Sequence, residues 1–187
     1  TEKTPRQSYE PPPFEKIYES VRGSGMVIDR RTLRRYHVSL RTRGFVILSG
    51  VSGTGKTWLT KLYAEAVKAK RHLEPVAPNW TTNEDLLGYY NPVDDEYHHT
   101  AVSRFLMRAE EAYQRSIESG RRPPPYHLVL DEMNLARVEY YFAKFLSKME
   151  ERKREGSATL QLGEGREVLL PPNLSFIVTT NPNSLLA

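Results

Sequence analysis

The sequence contains no cysteine, which excludes disulfides and any thiolate-based zinc site. It also lacks an apolar run approaching a membrane span and any signal-peptide pattern. A cytoplasmic protein without a membrane partner is therefore expected. Neither sign of charge dominates: the net charge is only +4, which permits nucleic-acid contact without arguing for it. The basic residues fall in short runs such as Arg30-Arg31, Arg34-Arg35 and Arg121-Arg122, several flanked by acids, as on solvated helix ends and loops. There is no internal repeat. At 187 residues with 39% hydrophobic content, the chain is long enough for one α/β domain with a substantial core.

What is present is most concentrated at residues 45–57. The β-rich run Phe45 to Ser49 leads into Gly50-Val51-Ser52-Gly53-Thr54-Gly55-Lys56-Thr57. This is the G-x-x-x-x-G-K-[ST] pattern in its strand-to-helix context. The glycines let the backbone curl so that successive N–H groups face one anion, and the helix that follows adds its positive end. Lys56 is expected to reach the β- and γ-phosphates of a bound nucleotide, and Thr57 to ligate Mg²⁺.

The rest of the chain alternates strand and helix signals. Residues 1–13 are polar and end in Pro11-Pro12-Pro13, a linker arm; residues 14–187 form the nucleotide-binding core. Phe14, Ile17, Tyr18 and Val21 mark a first helix, broken by Gly23-Ser24-Gly25. A second is capped by Asp29. Leu59, Leu62, Tyr63, Ala66 and Val67 pattern the helix after the phosphate loop. A short strand is predicted at Leu73 to Val76, an irregular stretch from Asn79 to Thr100, and a helix carrying Val102, Phe105, Leu106, Ala109, Tyr113 and Ile117. Then follow a buried strand from Tyr126 to Leu130, a helix carrying Val138, Phe142, Phe145, Leu146 and Met149, a β-hairpin over 158–170, and a buried strand from Leu174 to Thr180. This order predicts a parallel sheet with right-handed crossovers and ligands at the carboxyl ends of its strands.

Those ends carry chemistry. His127-Leu128-Val129-Leu130-Asp131-Glu132 is an apolar strand that delivers two acids. Asp131 is expected to hold Mg²⁺, directly or through water, and Glu132 to polarise the attacking water. Adjacent carboxylates at a buried strand end are costly unless a cation shares the site. Asn181, at the end of the last strand, can orient water or touch the γ-phosphate.

Other groups stay open. Adjacent His98 and His99 suggest a metal or simply an exposed loop. Asp94-Asp95-Glu96 reads as a surface turn or an extra cation site. Trp80, Tyr89, Tyr90 and Tyr97 either stack on bases or pack an insertion. Arg104 and Arg137 are candidate arginine fingers toward a neighbouring subunit.

The order phosphate loop, strand ending Asp131-Glu132, strand ending Asn181 resembles the AAA+ NTPases, over about residues 26–183. The stretch from Asp131-Glu132-Met133-Asn134-Leu135-Ala136-Arg137 through Glu150, and that from Trp80-Thr81-Thr82-Asn83-Glu84 through Pro92, resemble McrB-type proteins, as does the segment from Leu33 to Tyr63. The resemblance implies an AAA+ three-layer sandwich and Mg-dependent hydrolysis of ATP or GTP. It also implies a homo-oligomeric ring, commonly a hexamer, a separate nuclease subunit, and DNA recognition by a separate domain or partner. By the same carry-over, Gly50 to Thr57 bind phosphates, Asp131 and Thr57 hold Mg²⁺, and Glu132, Lys56 and Asn181 are catalytic. The hairpin at 158–170 is placed like insertions that line ring pores. McrB's GTP preference is associated with an N-T-x-D element, whereas this chain reads Asn181-Pro182-Asn183-Ser184, so ATP is at least as well matched. A MoxR-like remodelling ATPase shares the motif order and is the alternative. The chain starts at Thr1 and stops at Ala187, so a piece lacking the last sheet strand and the helical lid is expected, and with it weak hydrolysis by the piece alone.

Overall fold

The structure, a computed structural model, describes residues 8–163 and 166–182. Two helices come first. α1 (Phe14–Gly23) buries Ile17 and Val21. α2 (Arg30–Arg43) starts where the Asp29 carboxylate accepts the Thr32 N–H, and stops at Gly44, whose φ of 63° is left-handed. β1 (Phe45–Ser49) then runs into the glycine-rich loop and α3 (Lys56–Ala66). β2 (Lys70–Pro75) is followed by the short α4 (Asn83–Leu87), and by β3 (Gly88–Asn91) and β4 (Glu96–His99), an antiparallel hairpin. α5 (Ala101–Glu118) leads to β5 (Tyr126–Asp131) and a 3₁₀ turn, Met133–Leu135. α6 (Val138–Tyr141) and α7 (Ala143–Glu155) precede the hairpin of β6 (Ala158–Gly163) and β7 (Arg166–Leu170), and β8 (Leu174–Thr180) closes the sheet.

The central sheet has four strands in the order β1-β8-β5-β2, and every pairing is parallel. The two-residue period of a strand sorts its side chains between two cores. Val129 and Ile177 face α1, α2 and α3, packing with Leu33, Leu59 and Leu62. Leu128, Leu130, Phe176 and Val178 face the other way, against Phe105, Leu106, Phe142 and Phe145. The result is the three-layer α/β arrangement expected, with β5 and β8 buried in the middle.

Four local features differ from expectation. The stretch 79–100 is ordered: a Thr82–Asp85 capping box starts α4, and the β3–β4 hairpin follows. β2 begins at Lys70 rather than Leu73 and pairs along its whole length with β5; the polar Arg71 and His72 hide its first half, because an edge strand needs no apolar run. One helix expected around Phe142 is two, since Phe142 leaves helical geometry (φ −118°, ψ −4°) while its buried ring stacks on Phe145. Ile117 and Leu146, on the apolar patterns that mark their helices, are exposed. The arm is in contact at its described end, where the Tyr9 N–H donates to Arg122 O and the Arg122 N–H to Ser8 Oγ. Residues 1–7, 164–165 and 183–187 lie outside the described residues.

Candidate active site

The glycine-rich loop is held at both ends. The Gly50 N–H donates to Thr180 O of β8, and Thr54 Oγ1 donates to Val51 O at 2.9 Å. Gly53 and Gly55 have φ of 78° and 83°, a region that side-chain-bearing residues avoid. Gly55 is also the N-cap of α3 and offers no side-chain cap, so the first N–H groups of that helix are left for a ligand in the loop. Lys56 reaches into the same concavity, its Nζ donating to Gly50 O at 2.8 Å and Val51 O at 2.9 Å. A cleft of about 430 Å³ opens beside the loop between Met26, Val27, Ile28 and Leu48.

β5 brings Asp131 to the first turn of α3. Thr57 Oγ1 donates to Asp131 Oδ1 at 2.6 Å, and Thr179 Oγ1 donates to the same oxygen at 2.7 Å. The Glu132 N–H donates in turn to Thr179 Oγ1 at 2.8 Å. Glu132 itself sits at φ 52°, ψ 49°, a left-handed conformation costing a non-glycine residue about 1 kcal/mol. That turn ends the strand alternation at Glu132. Asn134 pins the neighbouring strand end, its Nδ2 donating to Asn181 O at 2.8 Å and its Oδ1 accepting the Asn181 N–H at 3.2 Å.

The structure thus gathers the loop 50–57, Asp131, Glu132 and Asn181 at one end of the sheet. Thr179 and Asn134 belong to the same cluster, although the motifs do not single them out. For Thr179 a signal exists: strand alternation puts it on the face of Ile177, just as it puts Asp131 on the face of Val129, and both faces look toward α3. Beneath them, Arg71 donates twice to Thr60 Oγ1 (3.1 and 2.9 Å), and Thr60 donates to Thr57 O at 2.7 Å.

The remaining candidates lie elsewhere. His98 pairs with Asp94 at 2.7 Å and His99 contacts Ser103 Oγ; among the described residues no group of three potential metal ligands occurs. Trp80 packs edge-on against Tyr141. Tyr97 is buried and its hydroxyl meets Gly88 O and Leu162 O, tying the two hairpins together. Tyr89 stacks on His98 and Tyr90 bonds Asp95. Arg104 is spent on His99 O; Arg137 lies exposed over the Tyr140 ring. His127, at the opposite end of β5, borders a cavity of about 330 Å³ beneath Tyr9; burial first, then Arg71, pushes its imidazole down to about 4. No described helix is long and apolar enough to cross a membrane.

A sequence profile of the family described as "AAA domain (dynein-related subfamily)" matches residues 45–186. No curated protein matches the chain. Among solved structures, a Cytophaga hutchinsonii protein assigned as an ATPase superposes with a TM-score of 0.56 over 90% of this chain, at 18% identity. At that identity the likeness speaks for the fold alone. The match takes in 43% of that protein, so this chain spans less than half its length.

Proposed function

The chain belongs to the AAA domain family, in its dynein-related subfamily, and from that premise we propose that it is the NTP-driven motor of a McrB-like DNA restriction and anti-phage complex. The family implies a nucleotide-hydrolysing ATPase domain. The observation that carries the hydrolytic reading is the convergence of the 50–57 loop, Asp131, Glu132 and Asn181, cross-linked through the Thr57–Asp131 bond.

The residues present suit a Mg-nucleotide. Gly53 and Gly55 hold the curled backbone that a polyphosphate needs, and the adjoining cleft offers Met26 and Ile28 to the faces of a base beside the polar Asp29 and Thr32. Thr57 and Asp131 would hold Mg²⁺, which when bound neutralises phosphate charge as it develops. The loop amides and Lys56 bind the β- and γ-phosphates. Glu132 accepts the proton of the attacking water as its oxygen bonds the γ-phosphorus and the bond to the β–γ bridging oxygen breaks. Asn181 orients that water and reports the γ-phosphate. Arg137, exposed and lying over Tyr140, is a candidate to serve a neighbouring subunit.

The McrB-like assignment rests on the stretches 80–92 and 131–150, and it implies a ring, commonly a hexamer, with a nuclease subunit, and DNA bound through a separate domain or partner. ATP and GTP are both admitted. A MoxR-like remodelling ATPase is the competing reading, since the dynein-related subfamily accommodates it equally. The test is nucleotide turnover by the full-length protein with ATP and with GTP, with modified DNA or a candidate nuclease subunit added. Stimulation by DNA and nuclease is expected; stimulation by a protein client alone points to remodelling instead.

A further inference from the structure

One buried hydroxyl touches both acids of the site without belonging to any of its motifs. Thr179 is fully buried near the end of β8, on the face that looks toward α3. Its Oγ1 donates its proton to Asp131 Oδ1 and accepts the N–H of Glu132. Thr57 donates to the same Asp131 oxygen. A carboxylate oxygen has two lone-pair sites, and here Oδ1 has two hydroxyl donors. Oδ2 is therefore the Asp131 oxygen left to face a cation, and Thr57, its proton committed to Oδ1, presents lone pairs to the same place.

The second bond acts on the backbone. Glu132 holds a left-handed conformation, φ 52°, that a non-glycine residue keeps only where its surroundings impose it. The Glu132 N–H is the group Thr179 holds. Without that acceptor the peptide between Asp131 and Glu132 can rotate toward ordinary geometry and carry the Glu132 carboxylate away from its present direction.

We propose that Thr179 is a positioning residue for hydrolysis: a single hydroxyl that selects the metal-facing oxygen of Asp131 and fixes the backbone that aims Glu132. This rests on the reading of Asp131 as the metal-holding acid and Glu132 as the water-activating one. Valine matches threonine in shape and supplies neither bond; serine supplies both.

The test compares Thr179→Val and Thr179→Ser with wild type in the full-length protein. In nucleotide-free protein, hydrogen exchange at the Glu132 amide is expected to quicken in the valine variant and stay slow in the serine variant. At saturating nucleotide, Thr179→Val should lower kcat by about 10- to 100-fold, the range of outer-shell ligand partners, and raise the Mg²⁺ concentration for half-maximal rate. Its KM for nucleotide should stay near wild type, because the 50–57 loop is untouched, and that retained binding also reports intact folding. Thr179→Ser should restore both kcat and Mg²⁺ dependence. A valine variant with wild-type kcat and Mg²⁺ response overturns the proposal, as does a serine variant as impaired as valine. A Glu132→Gln control separates the two layers: full turnover there refutes the underlying reading of Glu132, whereas a dead control beside a fully active valine variant refutes the positioning role alone.

Discussion

Thr57 Oγ1 lies 2.6 Å from Asp131 Oδ1 and donates to it. The bond joins residues 74 positions apart, the first turn of α3 and the last residue of β5, and it locks the phosphate loop to the acid pair. Asp131 acts here both as a structural acceptor and as a source of negative charge.

Those two roles separate in Asp131→Asn. An amide oxygen can still accept from Thr57 and Thr179, so thermal stability should change little. The charge proposed to hold a cation is lost, so nucleotide affinity in the presence of Mg²⁺ should fall by about 10- to 100-fold, while affinity in EDTA should stay close to wild type. Calorimetric titration under both conditions reads the difference; equal losses with and without Mg²⁺ would mean the carboxylate is structural only.

Gly88 is a point of steric necessity. Its φ is 98°, and a Cβ there would lie 2.0 Å from the carbonyl oxygen of His98, its β4 partner's neighbour. Gly88→Ala should therefore open the β3–β4 hairpin and destabilise the fold by about 3 kcal/mol, in the range of steric and backbone-strain substitutions. Urea unfolding checks this. A loss below about 0.5 kcal/mol, the scale of a neutral surface change, would show that the hairpin adapts.

The hairpin also marks how far the sequence can be read. The 50–57 loop, Asp131-Glu132 and the apolar strands β1, β5 and β8 are legible because their determinants are local: glycines at fixed offsets and apolar runs flanked by turns, buried in β5 and β8 and half-buried in the edge strand β1. The 79–100 stretch is not, because Gly88 and the Tyr97 hydroxyl owe their roles to partners across the hairpin and on Leu162. β2 is legible only in part, from Leu73 on, since the polar residues of its first half are accommodated by an edge position. Thr179 is halfway: the alternation places it on the correct face, but its bonds to Asp131 and Glu132 depend on the parallel register of β5 and β8.

His127 gives a pH signature away from the site. Its folded pKa is depressed from 6.5 to about 4, chiefly by burial. In the unfolded chain the imidazole takes up its proton near 6.5, so between the two values unfolding binds a proton and acid favours it. The stabilisation is fully present above about pH 6.5 and is lost as pH falls toward 4, at about 1.4 kcal/mol per unit, or roughly 3 kcal/mol in all. His127→Phe keeps a ring to stack on Tyr63 and removes the titration. Its unfolding free energy should fall less than that of wild type between pH 7 and 4; parallel curves would place the acid sensitivity elsewhere.

Glu132 is proposed to activate water in a nucleotide site built by the 50–57 loop and Asp131. Turnover and binding of ATP and GTP by wild type and Glu132→Gln in the full-length protein test it most directly. A general base contributes about 10²- to 10⁴-fold, so the variant should bind Mg-nucleotide as wild type does and hydrolyse it at least about 100-fold more slowly. Undiminished turnover in Glu132→Gln, or a wild-type protein that binds neither nucleotide, would contradict it.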